Sequence, residues 1–173
     1  ILFASGRENA AYGVYWKAAD GTGEVEKLAS SSAGRVLHPR SWSNDGKTLV
    51  LSEQILAPLQ SDIGLLSMEG PHVNKPLLQG KYVESGPRIS SDGRWMAYAS
   101  NESGKSEVWV CSFPDVNKGK WQVSTSGGNT PLWSPDGREL FYYDGDAVIS
   151  VQVTTEPTFK AGKSTVLFQG AYS

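Results

Sequence analysis

WSPDGRELFYYDG, residues 133–145, opens on turn-forming letters and runs directly into an apolar strand. Nearly the same phrase stands at Trp42-Ser43-Asn44-Asp45-Gly46 and again at Ile89-Ser90-Ser91-Asp92-Gly93. A Pro precedes each copy at nearly the same offset (Pro39, Pro87, Pro131), and a basic residue follows each (Lys47, Arg94, Arg138). Then come TLVLSE, WMAYAS and ELFYYD, whose apolar residues alternate or run together over strand length instead of recurring at helical spacing. The commonest three-residue hairpin loop is a type I turn followed by one left-handed residue. Gly46, Gly93 and Gly137 suit that last position because they lack Cβ, while the Ser and Asp oxygens can accept nearby backbone N–H groups. The phrase is therefore explained as a hairpin, without any ligand.

The remainder of each unit repeats more loosely. A further strand follows in DIGLLSM, SEVWVCSF and AVISVQV, then a polar turn, then a last strand in NKPLLQG, WQVSTSG and STVLFQG. Four strands in about 44 residues is the size of one propeller blade. The segment before Pro39 fits the same scheme without its first strand: ILFASG, YGVYWKA and EVEKLA match the second, third and fourth strands, with RENAAY between the first two of these. No stretch calls for a helix. The expected fold is all-β, one propeller-type domain over 1–173, with a partial blade at about 1–38 and blades at 39–85, 86–128 and 129–173. Three phrases for four blades' worth of strands, and a first residue that is Ile1, lead to the expectation of a fragment of a larger propeller.

An aromatic or apolar residue before Ser-Pro-Asp-Gly-basic, followed by an apolar strand, resembles the repeat of TolB-type propellers. The same WD-repeat-like family includes the N-terminal propellers of prolyl oligopeptidases, and the tail TVLFQGAYS also resembles propellers attached to bacterial serine/threonine kinases. WSPDGRELFYYDGDAVISVQV is the best copy. The copy at Pro39 departs by Asn44 in place of Pro and by an insertion around QILAPLQSD. The resemblance implies a bacterial propeller that engages protein partners, and an extracytoplasmic, periplasmic setting if it is TolB-like.

Composition agrees with a soluble globular chain: 39% hydrophobic, 20% charged, formal net charge −2. That balance gives no electrostatic reason for a nucleic-acid or anionic-membrane partner, and no apolar run reaches the length of a membrane span. Cys111 is the single cysteine, so no intramolecular disulfide can form, and its apolar neighbours mark it as a small buried hydrophobe. Each phrase offers one Asp beside a cation, too few ligands for calcium. The sialidase-type box requires one more residue between Asp and Gly than any copy has. There is no Gly-x-Ser-x-Gly elbow, and only His38 and His72 could act as a base. GTGEV at 21–25 lacks the Lys of a phosphate loop. No catalytic residue, metal or cofactor is expected here; catalytic machinery in a parent protein would lie outside this chain. Trp16, Trp95, Trp109, Trp121 and Tyr142-Tyr143 are expected to fill the space between blades, Trp42 and Trp133 to anchor inner strands, and TTEPTFKAGK to form an exposed loop.

The expected function is a non-catalytic binding or scaffold module for a protein or peptide. The alternative is a regulatory or substrate-gating segment of a larger kinase or peptidase. Propellers bind at the channel mouth, where the loops entering the inner strands converge. By repeat, His38, Gly86 and Thr130 are equivalent, as are Arg40, Arg88 and Leu132. His38, Arg40, Arg88 and Thr130 are the candidate binding residues, the arginines suiting an anion or a terminal carboxylate. A homodimer that covers exposed terminal blades is a further expectation.

Overall fold

A computed structural model describes residues 1–8, 11–31 and 34–170. It is all-β, with one short 3-10 turn at Val116–Lys118, and comprises two compact units, Ile1–Val83 and Glu84–Ser173. The first unit holds a three-stranded sheet, β1 (Leu2–Glu8), β2 (Ala11–Trp16) and β3 (Glu26–Ser30), and a four-stranded one, β4 (Arg35–Trp42), β5 (Thr48–Leu56), β6 (Leu59–Ser67) and β7 (Asn74–Leu78). The second unit holds β8 (Glu84–Ile89), β9 (Trp95–Ser100), β10 (Glu107–Ser112) and β11 (Lys120–Gln122), then β12 (Asn129–Trp133), β13 (Glu139–Asp144), β14 (Ala147–Thr154) and β15 (Lys160–Gln169). Every sheet is an antiparallel meander in chain order, which is how propeller blades are built. The first sheet lacks an inner strand, as its sequence implied. Residues 9 and 10 of RENAAY lie outside the described residues.

The three Ser-x-Asp-Gly phrases fold alike. Gly46, Gly93 and Gly137 have φ of 69°, 73° and 71°, and each donates its N–H to the carbonyl of the phrase's Ser at 2.9–3.0 Å. Each Ser hydroxyl donates to its Asp (2.6, 2.5 and 2.6 Å) and accepts the N–H of Thr48, Trp95 or Glu139 at 3.0, 3.1 and 2.9 Å. Each Asp also accepts the N–H of the following basic residue. The Ser hydroxyls and these amides hold Asp45 and Asp136 below the usual carboxylate range. At Asp92 burial pushes the other way, and Ser90 with Arg94 outweighs it.

Packing follows the two-residue alternation of strands. In the first unit Leu49, Leu51 and Leu66 share a face and form a core with Val14, Leu28 and Leu37. In the second, Ala97, Val108 and Val110 of one sheet join Leu140, Tyr142, Ile149 and Val151 of the other. Phe159 fills the middle of that core, with ring centroids 5.7 Å from Trp95, 5.7 Å from Trp121 and 6.2 Å from Trp133. Such aromatic pairs are each worth about 0.5–1.5 kcal/mol beyond the area they bury.

Several expectations are corrected. Phe159 lies within the stretch expected to be an exposed loop, yet it is fully buried. Trp42 is 40% exposed, whereas Trp133 does anchor its strand, its indole N–H donating to the Arg88 carbonyl at 3.0 Å. Trp95, Trp121 and Tyr142 pack between sheets, but Tyr143 is exposed, and Trp16 is partly exposed with its indole N–H on Glu26 at 2.7 Å. Through the insertion around QILAPLQSD, β5 and β6 extend until Leu56 faces Leu59.

Two buried polar groups have clear structural roles. The Cys111 thiol is enclosed and pushed up to about 12 by burial, so it stays protonated and unreactive. Glu107 is buried and accepts from the Ser124 hydroxyl and from the Gly127 N–H at 3.1 Å, with Lys105 Nζ at 3.4 Å. That clamp closes the loop leading to β12.

Candidate functional site

One face of the β12–β15 sheet is spent on the core of the second unit; alternation turns Phe141, Tyr143 and Val148 to the other face. There they floor a groove of about 350 Å3. Leu132 pairs with Phe141 across β12–β13, and Phe168 with Val148 across β14–β15. A register shift in β15 pairs Val148 with Phe168 and Ile149 with Val166, leaving Leu167 as the extra residue. Leu167 and Phe168, adjacent in sequence, therefore both line the groove, which is how a bulge re-aims a side chain.

The opposite flank is also irregular. The β12–β13 register shifts between Asn129 and Leu132, and Thr130 there has φ of 51°. Among the described residues it is the only non-glycine with positive φ. A β-branched side chain in that region is strained by about 1–3 kcal/mol, and such strain clusters at ligand-contacting sites. Its hydroxyl donates to the Asn129 side-chain carbonyl at 3.0 Å. Arg88, from β8, lines the same groove and is the one lining side chain charged at neutral pH. Tyr142 lies at the groove too, its hydroxyl pushed up by burial and then by the charges of Asp144 and Glu107. Leu132, Tyr143, Leu167 and Phe168 are each about half exposed. The groove offers apolar surface, one guanidinium and a strained rim residue: the means to hold an apolar group next to an anion, with no nucleophile–base pair among its lining residues.

Of the four candidate residues, Arg88 and Thr130 are brought together here. His38 and Arg40 belong to the first unit and neighbour one another on β4. Burial and then the Arg40 charge lower the affinity of His38 for its proton, against a hydrogen bond to Gln54 that raises it. Arg40 Nε donates to the Ser52 hydroxyl at 3.4 Å, and the residue borders a small hollow of about 140 Å3 with Leu2, Pro39 and Trp42. The repeat equivalence holds for backbone at two of three positions: Gly86 has φ of 61°, close to Thr130, whereas His38 has no positive φ.

Sequence reasoning missed the groove floor. The signal was available in the repeat itself, since Phe141 and Tyr143 occupy the positions of Ala97 and Ala99 after the turn. Elsewhere, Glu53 and Asp62 face each other across β5–β6 beside Asn74 and Gln79, at a polar hollow of about 240 Å3. Arg35 holds both carboxylates at 3.3 and 3.8 Å, which accounts for their closeness. Among the described residues no three His, Cys, Asp or Glu converge to hold a metal. No helix among them is long and apolar enough to cross a membrane.

No family model matches the sequence. A curated relative, an uncharacterized protein of Agrobacterium fabrum, is 26% identical over 129 residues, covering 73% of this chain and 41% of the relative. Among solved structures, a TolB-like protein of Agrobacterium tumefaciens superposes with a TM-score of 0.75 at 21% identity over 96% of this chain and 60% of its own. TolB of Acinetobacter baumannii gives 0.68 at 16% over 99% of this chain and 41% of its own. A puromycin-hydrolyzing peptidase of Mycobacterium tuberculosis gives 0.63 at 17% over 98% of this chain and 30% of its own. The fold is thus the TolB-like β-propeller, and this chain spans less than two thirds of each of these proteins.

Proposed function

We propose that this propeller segment is a non-catalytic binding module for a protein partner, with Arg88 and Thr130 at the rim of its principal contact surface and His38 with Arg40 forming a second contact point on the first unit. The observation that carries the reading is the open apolar groove of the β12–β15 sheet, bordered by a single cation and by a strained backbone residue. A peptide segment with a large apolar side chain next to a carboxylate matches it: the side chain lies against Phe141, Tyr143 and Val148, and the carboxylate meets Arg88 through charge-assisted hydrogen bonds.

The test is a fluorescence-anisotropy titration with labelled peptides ending in Phe or Leu, each with a free or an amidated C-terminus. Free-acid peptides should bind more tightly, and Arg88→Ala should weaken them about tenfold or more while leaving the amides unchanged. Equal binding of acid and amide, or indifference to Arg88→Ala, would refute the site. Replacing Arg40 and His38 tests the second contact point in the same way.

A second reading is supported by the match to the peptidase, which takes up nearly all of this chain but only 30% of that protein. In that reading the segment regulates or gates a larger enzyme whose catalytic residues lie elsewhere. The residues flanking the segment in its gene decide between the two, since a hydrolase or kinase domain next to it would favour the second.

A further inference from the structure

We infer that the hollow between β5, β6 and β7 is a seat for a primary ammonium, the end of a lysine side chain on a protein partner. The inference rests on the reading of this chain as a protein-binding module and adds a separate, acceptor-lined surface to it. The hollow holds about 240 Å3 and is walled by Glu53, Asp62, Gly64, Asn74, Pro76 and Gln79, with Ile63 at its base. That is smaller than the usual pocket for a drug-sized ligand and suits a single side chain. Its shape comes from the backbone. The β6–β7 register shifts between Ile63 and Gly64, pairing them with Leu78 and Pro76 and leaving Leu77 as the extra residue. Gly64 adds no side chain, and a Cβ there would stand 2.7 Å from Asn74 Oδ1, so the Asn74 carboxamide lies across the glycine. Pro76, on the opposite side, brings no N–H.

The carboxylates at this hollow are short of donors. Glu53 and Asp62 face each other across β5–β6, and like charges so placed destabilise a strand pair. Arg35 gives the two a single positive charge, 3.3 Å from Glu53 Oε2 and 3.8 Å from Asp62 Oδ2, the latter beyond hydrogen-bonding reach. The Asp62 side chain is only 9% exposed. Its other contact is Gln60 Nε2 at 3.4 Å, but that amide has two protons, and the carbonyls of Gly80 and Tyr82 take them at 3.0 and 2.6 Å. A carboxylate nine-tenths buried without a full hydrogen bond is costly, and an arriving cation removes that cost. Among the described residues no three His, Cys, Asp or Glu converge for a metal, whereas an ammonium is a compact charge with three donors. It can give one each to Glu53, Asp62 and Asn74 Oδ1, its alkyl stem lying against Ile63 and Pro76.

The experiment is a heteronuclear NMR titration of the whole isotope-labelled chain with three probes: a capped Ala-Lys-Ala tripeptide, its Nε-acetylated form, and butylamine. The lysine tripeptide should shift the Gly64 amide and the Asn74 carboxamide with half-saturation at about 1–10 mM, the range of one ion pair with a few hydrogen bonds. Acetylation removes the charge and should weaken binding about tenfold or more. Glu53→Gln keeps the shape of the wall and should weaken it about fivefold or more. Asn74→Ala changes an exposed residue, so the fold persists, and should weaken it about threefold, read at Gly64. Butylamine, which lacks the flanking peptide, should bind less tightly than the tripeptide. Unshifted Gly64 and Asn74 signals at about 50 mM tripeptide, equal shifts from the acetylated form, or indifference to both substitutions would overturn the inference. Butylamine binding as tightly as the tripeptide would overturn the protein source and leave a free amine as the ligand. None of these residues lines the groove of the β12–β15 sheet, so the titration with peptides ending in Phe or Leu tests the binding-module reading separately.

Discussion

Ser90→Ala is the substitution for which the hairpin geometry gives the clearest number. The Ser90 hydroxyl donates to Asp92 at 2.5 Å and accepts the Trp95 N–H at 3.1 Å, and the residue is 2% exposed. Alanine removes both bonds. Asp92 keeps the Arg94 amide and guanidinium, so its loss is one charge-assisted bond. The Trp95 amide is buried and loses its acceptor, and a stranded buried donor costs about 1–3 kcal/mol. Together the change should cost about 3 kcal/mol, or roughly 6–12 °C in Tm for a chain of this length. Ser43→Ala breaks the same pair of bonds at 2.6 and 3.0 Å, but Ser43 and Thr48 are both partly open to solvent. Water can then satisfy the Thr48 amide, and the expected cost is about 1 kcal/mol. Urea denaturation of both variants at pH 7 measures the difference, which isolates the desolvation share because the bonds themselves are alike. Equal losses, or a Ser90→Ala loss below about 1 kcal/mol, would show that glycine alone sets the turn and that the Ser–Asp bonds are incidental.

Thr130→Gly should stabilise the chain by about 0.5–1 kcal/mol, since relief of left-handed strain exceeds the added flexibility of the unfolded chain; a destabilisation would mean that the Thr130 side chain supports the rim. Phe159→Ala should cost about 3–5 kcal/mol through the cavity left among three indoles, with loss of near-ultraviolet ellipticity as a second readout. His38 titrates below its unfolded value of 6.5, so the unfolded chain binds more protons just below that pH. Its contribution is therefore complete above pH 6.5 and is lost as the pH falls through the lower folded value; His38→Gln should flatten the stability profile in that interval, and an unchanged slope would exclude His38 as its source.

The meander of antiparallel sheets was legible because the turn is local chemistry. Ser, Asp and Gly at fixed offsets specify a hairpin wherever they occur, and three copies fixed the strand spacing between them. Burial of Trp95, Trp121, Trp133 and Tyr142 followed from their place on strands. What escaped had no such local signature. Phe159 sits among loop-forming letters and is drawn inward by three aromatic rings from distant positions. Trp42 keeps the letter of an anchor, yet its surroundings leave it partly in water. Arg88 and Thr130 were chosen by repeat position, but the left-handed backbone at 130 showed only indirectly, through Gly at its counterpart 86. The groove became visible only when Phe141 and Tyr143 were set against Ala97 and Ala99.

The turn phrases bear on how such a chain can change. Each closes its side-chain hydrogen bonds within six residues, so strand alignment is decided before any sheet face is chosen. The faces are then free to diverge: one sheet carries two alanines where another carries phenylalanine and tyrosine, with no slip of the strands between them. A blade of this kind can exchange the chemistry of a sheet face one residue at a time, packed as at Ala97 and Ala99 or open as at Tyr143, at an address the hairpin keeps constant. New binding preferences can therefore arise on it without a new fold.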